Sequence, residues 1–192
     1  MTNEYFRLEL ASHSEVMQSL LSIEKDIEAA IGEVTHCMRQ GRTLFLCGNG
    51  GSAADSQHIA AEFVGRFKDE RPPLPAVALT TDTSAITCIA NDYDFSKVFS
   101  RQLQGLGSSG DVLLAISTSG SSPNVIEAAK VAKEMGIRVI ALSGRGGGKL
   151  AEICDVSIVV ESDETARIQE CHIFIGHTIC GAVELALNID QR

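Results

Sequence analysis

Val112-Leu113-Leu114-Ala115-Ile116-Ser117-Thr118-Ser119-Gly120-Ser121-Ser122-Pro123 is the stretch on which the fold turns. Its first five residues form an unbroken apolar run, too short for a helix and bounded by a turn, so they read as a strand buried on both faces. The hydroxyl-rich turn then meets Ser122-Pro123, an N-cap and first helical residue by type. Strand, loop and helix therefore follow one another within this segment.

The same grammar repeats on either side. Thr43–Cys47, Ala76–Leu79, Val139–Leu142 and Val156–Val160 are further apolar runs of strand length. Helical stretches such as Ala53–Val64 and Pro123–Met135 lie between them, and a last helix is expected from about Ala166 to Leu187. Strand–helix alternation with doubly buried strands predicts a parallel sheet with helices on both faces, a three-layer αβα sandwich with right-handed crossovers. The first forty residues read as helix. Ile27, Ile31, Val34 and Met38 share one face, and Gly41 stops the pattern as a C-terminal cap. No repeat or low-complexity linker divides the chain, so one domain over 1–192 is expected, with 1–41 as an added helical region. The first and last helices are too apolar for a monomer's surface, which predicts that they meet other subunits.

Composition narrows the partners. With 192 residues, 44% of them hydrophobic, the chain is able to bury a core. A net charge of −9 without a basic run disfavours nucleic acid and acidic membrane surfaces. Met1 to Leu10 is polar, unlike a signal peptide. The most apolar segment, Ile173 to Val183, is short for a bilayer and contains His177. Cys37, Cys47, Cys88, Cys154, Cys171 and Cys180 include no C-x-x-C spacing and read as small buried hydrophobes in a reducing, cytoplasmic setting.

Ligands of open parallel sheets bind beyond the carboxyl ends of the strands. Two such ends are unusual here. In Cys47-Gly48-Asn49-Gly50-Gly51-Ser52, three glycines let backbone approach a ligand, and Ser52 is placed to cap the next helix. The match to G-x-G-x-x-G/A is weak, because the nearest acids, Asp69 and Glu70, lie in a Pro-flanked loop instead of at a strand end. In Ser117–Ser122, four serines and a threonine surround Gly120 at the start of a helix, an anion site that needs neither lysine nor metal. A third cluster, Gly144-Arg145-Gly146-Gly147-Gly148-Lys149, fails the P-loop pattern and reads as a flexible connection.

Histidines and a carboxylate supply the remaining chemistry. His58 and Glu62 are four apart on the helix after the glycine loop, so they share a face. Gln169 and His177, eight apart on the last helix, lie broadly on one side. Two imidazoles, a carboxylate and an amide oxygen suit zinc. A surface His–Glu pair, a solvated glutamine and a satisfied core histidine would read the same way from spacing alone. His172 points elsewhere on the last helix, and His13 and His36 carry no chemical signal.

The set Cys47-Gly-Asn-Gly-Gly-Ser52, Gln57-His58-x-x-x-Glu62, Ile89-Ala-Asn91-Asp92, Ser117-Thr-Ser-Gly-x-Ser122 and Ala166-Arg-Ile-Gln169-Glu-x-His172 closely resembles the sedoheptulose-7-phosphate isomerases, also called phosphoheptose isomerases, of the sugar-isomerase (SIS) superfamily. The resemblance covers essentially the whole chain. It implies the SIS fold with a five-stranded parallel sheet, a homotetramer with active sites between subunits, and conversion of sedoheptulose 7-phosphate to D-glycero-D-manno-heptose 7-phosphate for lipopolysaccharide or other surface glycans. Position by position, it implies zinc on His58, Glu62, Gln169 and His177, with Glu62 as base and His177 as acid. Phosphate contacts fall on Ser117, Thr118, Ser119 and Ser122. Sugar contacts fall on Asn49, Gly50, Gly51, Asn91, Asp92 and Gln169. Some members carry aspartate where this chain has Ala166. Two rivals remain: a related tetrameric adaptor that binds the replication initiator DnaA but lacks the carboxylate of the helix pair, and an isomerase of another phosphosugar.

Overall fold

The computed structural model describes residues 2–189, so Met1 and residues 190–192 of the expected domain lie outside the described residues. Five strands, β1 (Leu44–Cys47), β2 (Ala76–Ala78), β3 (Val112–Ser117), β4 (Arg138–Ser143) and β5 (Val156–Val159), form one sheet in the order β2-β1-β3-β4-β5. Every neighbouring pair is parallel. The helices are α1 (Thr2–Ser19), α2 (Glu24–Arg39), α3 (Gly51–Val64), α4 (Thr83–Asp92), α5 (Ser100–Leu106), α6 (Pro123–Glu134), α7 (Gly148–Ala151) and α8 (Thr165–Ile189).

Side-chain alternation along each strand feeds two separate cores. Leu44 and Leu46 of β1, Leu114 and Ile116 of β3, and Ile140 and Leu142 of β4 meet α2, α3 and α8. Phe45, Cys47, Leu113, Ala115, Val139 and Ala141 point the other way, into Leu103 of α5, Val125 and Ala129 of α6 and Leu150 of α7. All six residues of β3 are buried. A strand with water on neither face has no room for a polar position before its end, which is why Ser117 marks the point where chemistry begins.

The N-terminal region differs from the single helical pattern expected. A 3-10 turn, Leu20–Ile23, separates α1 from α2. Here Ser19 and Ser22 donate their hydroxyls to the carbonyls of Val16 and Ser19, competing with the helical ladder. Gly41 does take the left-handed conformation that ends α2, at φ 62°. The Gly144–Lys149 segment is also not the loose connection expected. The Gly144 N–H donates to the Thr118 carbonyl and the Leu150 N–H to the Gly120 carbonyl, so this segment is fastened along the serine loop.

Helix α8 is longer than its most apolar segment suggested: Thr165–Leu187 is long and apolar enough, by length and composition, to cross a membrane. Ile168, Cys171, Ile175, Ile179, Cys180 and Val183 of this helix are buried in the first core. It also carries a fully buried His172 and a buried Glu184. The six cysteines are free thiols; Cys37, Cys47, Cys171 and Cys180 are buried as expected, whereas Cys88 is exposed.

Candidate active site

The glycine loop between β1 and α3 is shaped by what cannot fit there. A Cβ on Gly48 would come within 2.7 Å of the Ser52 side chain, and Gly50 takes φ 55°. Gly50, not Ser52, is the N-cap of α3. Ser52 lies inside the first turn and is buried, with its N–H donated to the Asn49 carbonyl at 3.0 Å. The glycine's freedom to adopt positive φ lets the chain enter the helix two residues earlier than a serine cap would.

Ser122 caps α6 in position, with Pro123 following, yet its hydroxyl makes no capping bond. It pairs instead with the buried Ser117 hydroxyl at 3.0 Å. Ser119 Oγ accepts from the Ser121 N–H at 3.2 Å. Gly120 sits at φ 61°, and a Cβ there would collide with the Gly147 carbonyl. The loop is thus a turn of hydroxyls backed by main chain, at the positive end of a twelve-residue helix.

The two loops are tied together by an amide pair. Asn49 Nδ2 donates to Asn124 Oδ1 at 2.9 Å, and Asn124 Nδ2 donates to Asn49 Oδ1 at 2.8 Å. Asn124 is buried and also accepts the Val125 N–H. Sequence reasoning missed Asn124, because an asparagine in a helix's first turn is ordinary by type. Its partner Asn49, expected to touch sugar, spends much of its side-chain capacity on this pairing.

Helices α3 and α8 pack side by side. They bring His58, Glu62 and His177 together, with their ligand atoms all within 4.8 Å of one another. His58 Nε2 lies 3.2 Å from Glu62 Oε1 and 3.2 Å from His177 Nε2. Phe67 stacks on the His177 ring, with centroids 5.4 Å apart and planes 23° apart. Gln169 is placed against the glycine loop: a Cβ on Gly51 would come within 2.5 Å of its Nε2. Asp55, one turn before His58 and unread in the sequence, is also near. Burial pushes its carboxyl up, while the charges of His58 and His177 pull it back.

The cluster fits zinc by donor type and by spacing. Tetrahedral ligands about 2.0–2.1 Å from a zinc ion are separated from each other by about 3.3 Å; His58 stands 3.2 Å from both Glu62 and His177, and all three ligand atoms lie within 4.8 Å of one another. His58 Nε2 and His177 Nε2 face each other, and with each ring's N–H on Nδ1 both would offer a lone pair to a cation between them. His58 is half exposed, its side chain retaining 49% of its accessible surface, so the centre opens outward.

Not every expected contact converges. Asn91 and Asp92 close α4, exposed to solvent, and their side-chain hydrogen bonds stay on that helix: Asn91 Nδ2 to Asp92 Oδ1 at 2.8 Å and Cys88 Sγ to Asp92 Oδ2 at 3.4 Å. No residue of α4 is buried.

A five-stranded parallel sandwich with a hydroxyl loop and a glycine loop at adjacent strand ends defines a class, and residues 10–144 match the SIS domain family. Within that class, the chain is 53% identical over 186 residues to a phosphoheptose isomerase of Campylobacter concisus, covering 97% of this chain and 98% of the relative. The structure superposes on phosphoheptose isomerase from Neisseria gonorrhoeae with a TM-score of 0.91 at 45% identity, covering 96% of this chain and 99% of that one. The Francisella tularensis phosphoheptose isomerase gives 0.92 at 35% identity over 95% and 98% of the two chains. The chain belongs to the phosphoheptose isomerase family.

Proposed function

We infer that this chain is a ketose–aldose isomerase that converts sedoheptulose 7-phosphate to D-glycero-D-manno-heptose 7-phosphate by proton transfer through an enediol. The observation that carries the reading is the meeting of His58, Glu62 and His177 from two helices, on a chain whose other loop offers hydroxyls at a helix N-terminus.

Moving a carbonyl from C2 to C1 requires a proton to leave C1, a proton to arrive at C2, and protons to redistribute between O1 and O2. Glu62 takes the C1 proton. One of its oxygens faces His58, so the second is the one available to act as base. His177 serves O1 and O2, its ring orientation fixed by Phe67. His58, Glu62, His177 and Gln169 would hold zinc, which when bound supplies Lewis-acid polarisation of the substrate oxygens. Ser117, Thr118, Ser119 and Ser122 receive the phosphate, and binding energy gained there is spent at the reacting carbons. Asn49, Gly50 and Gly51 line the sugar's path, whereas Asn91 and Asp92, exposed at the end of α4, would meet it only if α4 moves or if the sugar is shared with another copy of the chain.

The assembly in this reading is a homotetramer. Tyr5, Phe6, Leu8 and Leu10 of α1 are each more than half exposed, as is Leu21. An apolar groove runs between Met17, Leu21, Ile27, Ile31 and Phe174. Such a surface suits a second copy of the chain. The reading also keeps the protein in the cytoplasm, without membrane or nucleic-acid partners, supplying heptose for lipopolysaccharide or another surface glycan. The DnaA-binding adaptor is disfavoured because Glu62 and Ser119 are present.

The test is direct. Zinc-loaded protein incubated with sedoheptulose 7-phosphate should yield the aldose. A panel of pentose, hexose and heptose phosphates should show the highest kcat/KM for the seven-carbon ketose. No product from any member of the panel would refute the reading, and preference for a shorter sugar would correct its substrate.

A further inference from the structure

A buried ion pair lies just behind the His58–Glu62–His177 centre. Arg71 and Glu184 retain only 4% and 3% of their side-chain surface, and Arg71 Nε meets Glu184 Oε2 at 3.0 Å. Buried ion pairs of this kind contribute little net stability, since desolvation offsets their attraction. What this one touches is specific. Arg71 Nη2 donates to the backbone carbonyl of Glu62 at 2.7 Å, and Nη1 donates to that of Phe63 at 2.9 Å. These carbonyls belong to the last turn of α3, where the helical ladder runs out of donors.

The carboxylate works on the other half of the centre. Glu184 accepts the N–H groups of Phe67, Lys68 and Asp69 at 3.1, 2.9 and 2.6 Å. Phe67 is the ring that stacks on His177. Glu184 itself follows His177 by seven residues, two turns along the same side of α8. One ion pair therefore fixes the main chain that bears Glu62, the loop that bears Phe67, and the helix that bears His177. Burial works against ionisation of Glu184, but its three N–H donors and Arg71 overcome that and hold its carboxyl below the usual range.

We propose that Arg71 and Glu184 are positioning residues for the isomerisation centre: they set the register of α3 against α8, and with it the spacing of the zinc-ligating and proton-transferring side chains. This rests on the isomerase reading above, though its first readout is metal binding and needs no turnover.

Glu184→Gln and Arg71→Lys, made in the full-length protein, are compared with wild type by competitive zinc titration and by the visible spectrum of the cobalt form. Each should weaken zinc about tenfold or more, as loss of a ligand's supporting contacts does, and should change the cobalt band shape. In turnover, kcat should fall by a similar factor while KM stays within about threefold, because none of the partners of Arg71 and Glu184 belongs to the serine loop. Phe67→Leu removes the stacking without touching the ion pair and should give a smaller loss of the same kind, and Glu184→Asp, which keeps the charge and shortens its reach, decides the matter if the other variants do not fold. Ala132→Gly, in the far core, serves as the destabilised control and should keep wild-type zinc affinity. Wild-type zinc affinity and cobalt spectrum in the folded variants, or equal metal loss in the control, would overturn the proposal. If wild-type protein binds zinc but turns over no sugar phosphate, the isomerase reading fails while the positioning result still stands.

Discussion

The hydroxyl loop and the imidazole–carboxylate cluster are built in opposite ways. The loop presents its hydroxyls from within six consecutive residues, Ser117 to Ser122, and takes its shape from main chain packed on Gly147. The cluster takes three side chains from two helices, with His58 and His177 separated by 119 positions, and its shape from the packing of those helices. A contiguous site stands or falls with local backbone. A convergent one stands or falls with tertiary contacts. Damage to the first should therefore appear in folding and in KM, and damage to the second in kcat.

The sharpest test of that division is Glu62→Gln. If Glu62 is the base, its loss removes roughly 10²–10⁴-fold in rate, so turnover should fall steeply while titration still detects substrate binding. A nearly active Gln variant would collapse the distinction. Next is Gly120→Ala, which puts a Cβ into the Gly147 carbonyl at a backbone angle L-residues avoid. Destabilisation on the order of 4 kcal/mol is expected, read as a drop in the chemical-denaturation midpoint, with zinc affinity unchanged in whatever fraction remains folded.

His172 joins the two regions. It lies three residues after Gln169, and its Nε2 is 3.2 Å from the Ser143 carbonyl, next to the Gly144 N–H that bonds Thr118. Burial pushes its imidazole down from 6.5 to about 4, more than the Ser143 carbonyl restores. The unfolded chain therefore takes up the proton first as pH falls. Stability is intact above pH 6.5 and declines toward pH 4, by about 3 kcal/mol in all. His172→Gln should flatten that part of the stability–pH curve, and an unchanged slope would place the acid sensitivity elsewhere. The smallest effect is expected from Ser119→Ala. Losing one hydroxyl from an anion site costs about 1.5 kcal/mol, so KM should rise roughly tenfold with kcat nearly constant.

Legibility in the sequence follows the same division. All five strands could be read within one residue at every end, because burial leaves a short apolar run bounded by turns, complete for β1 and β3 and partial for the edge strands β2 and β5. The serine loop was legible for the same reason, as polarity beginning abruptly after β3. The His58–Glu62 pair could be read from helical spacing, but its approach to His177 depends on how α3 packs on α8, which no local pattern encodes. Arg71 and Glu184 were hidden more deeply. Arg71 follows Asp69 and Glu70 in a loop that looks solvated, and Glu184 looks like a lone charge on an apolar helix. Each is buried against the other and against main chain from the α3 end and the following loop. Asn124 escaped notice because its importance lies in a mutual contact with Asn49, 75 residues away.

That mutual amide contact has a consequence for how the two loops stand to one another. It clasps the turn before α3 to the first turn of α6, so the two strand ends keep a fixed spacing in the way a buckle holds two straps. Neither amide carries charge or ionises in the physiological range, so the pairing does not depend directly on pH or on salt screening. Under the isomerase reading, exchanging side chains within either loop should alter what is gripped more readily than how far apart the two grips stand.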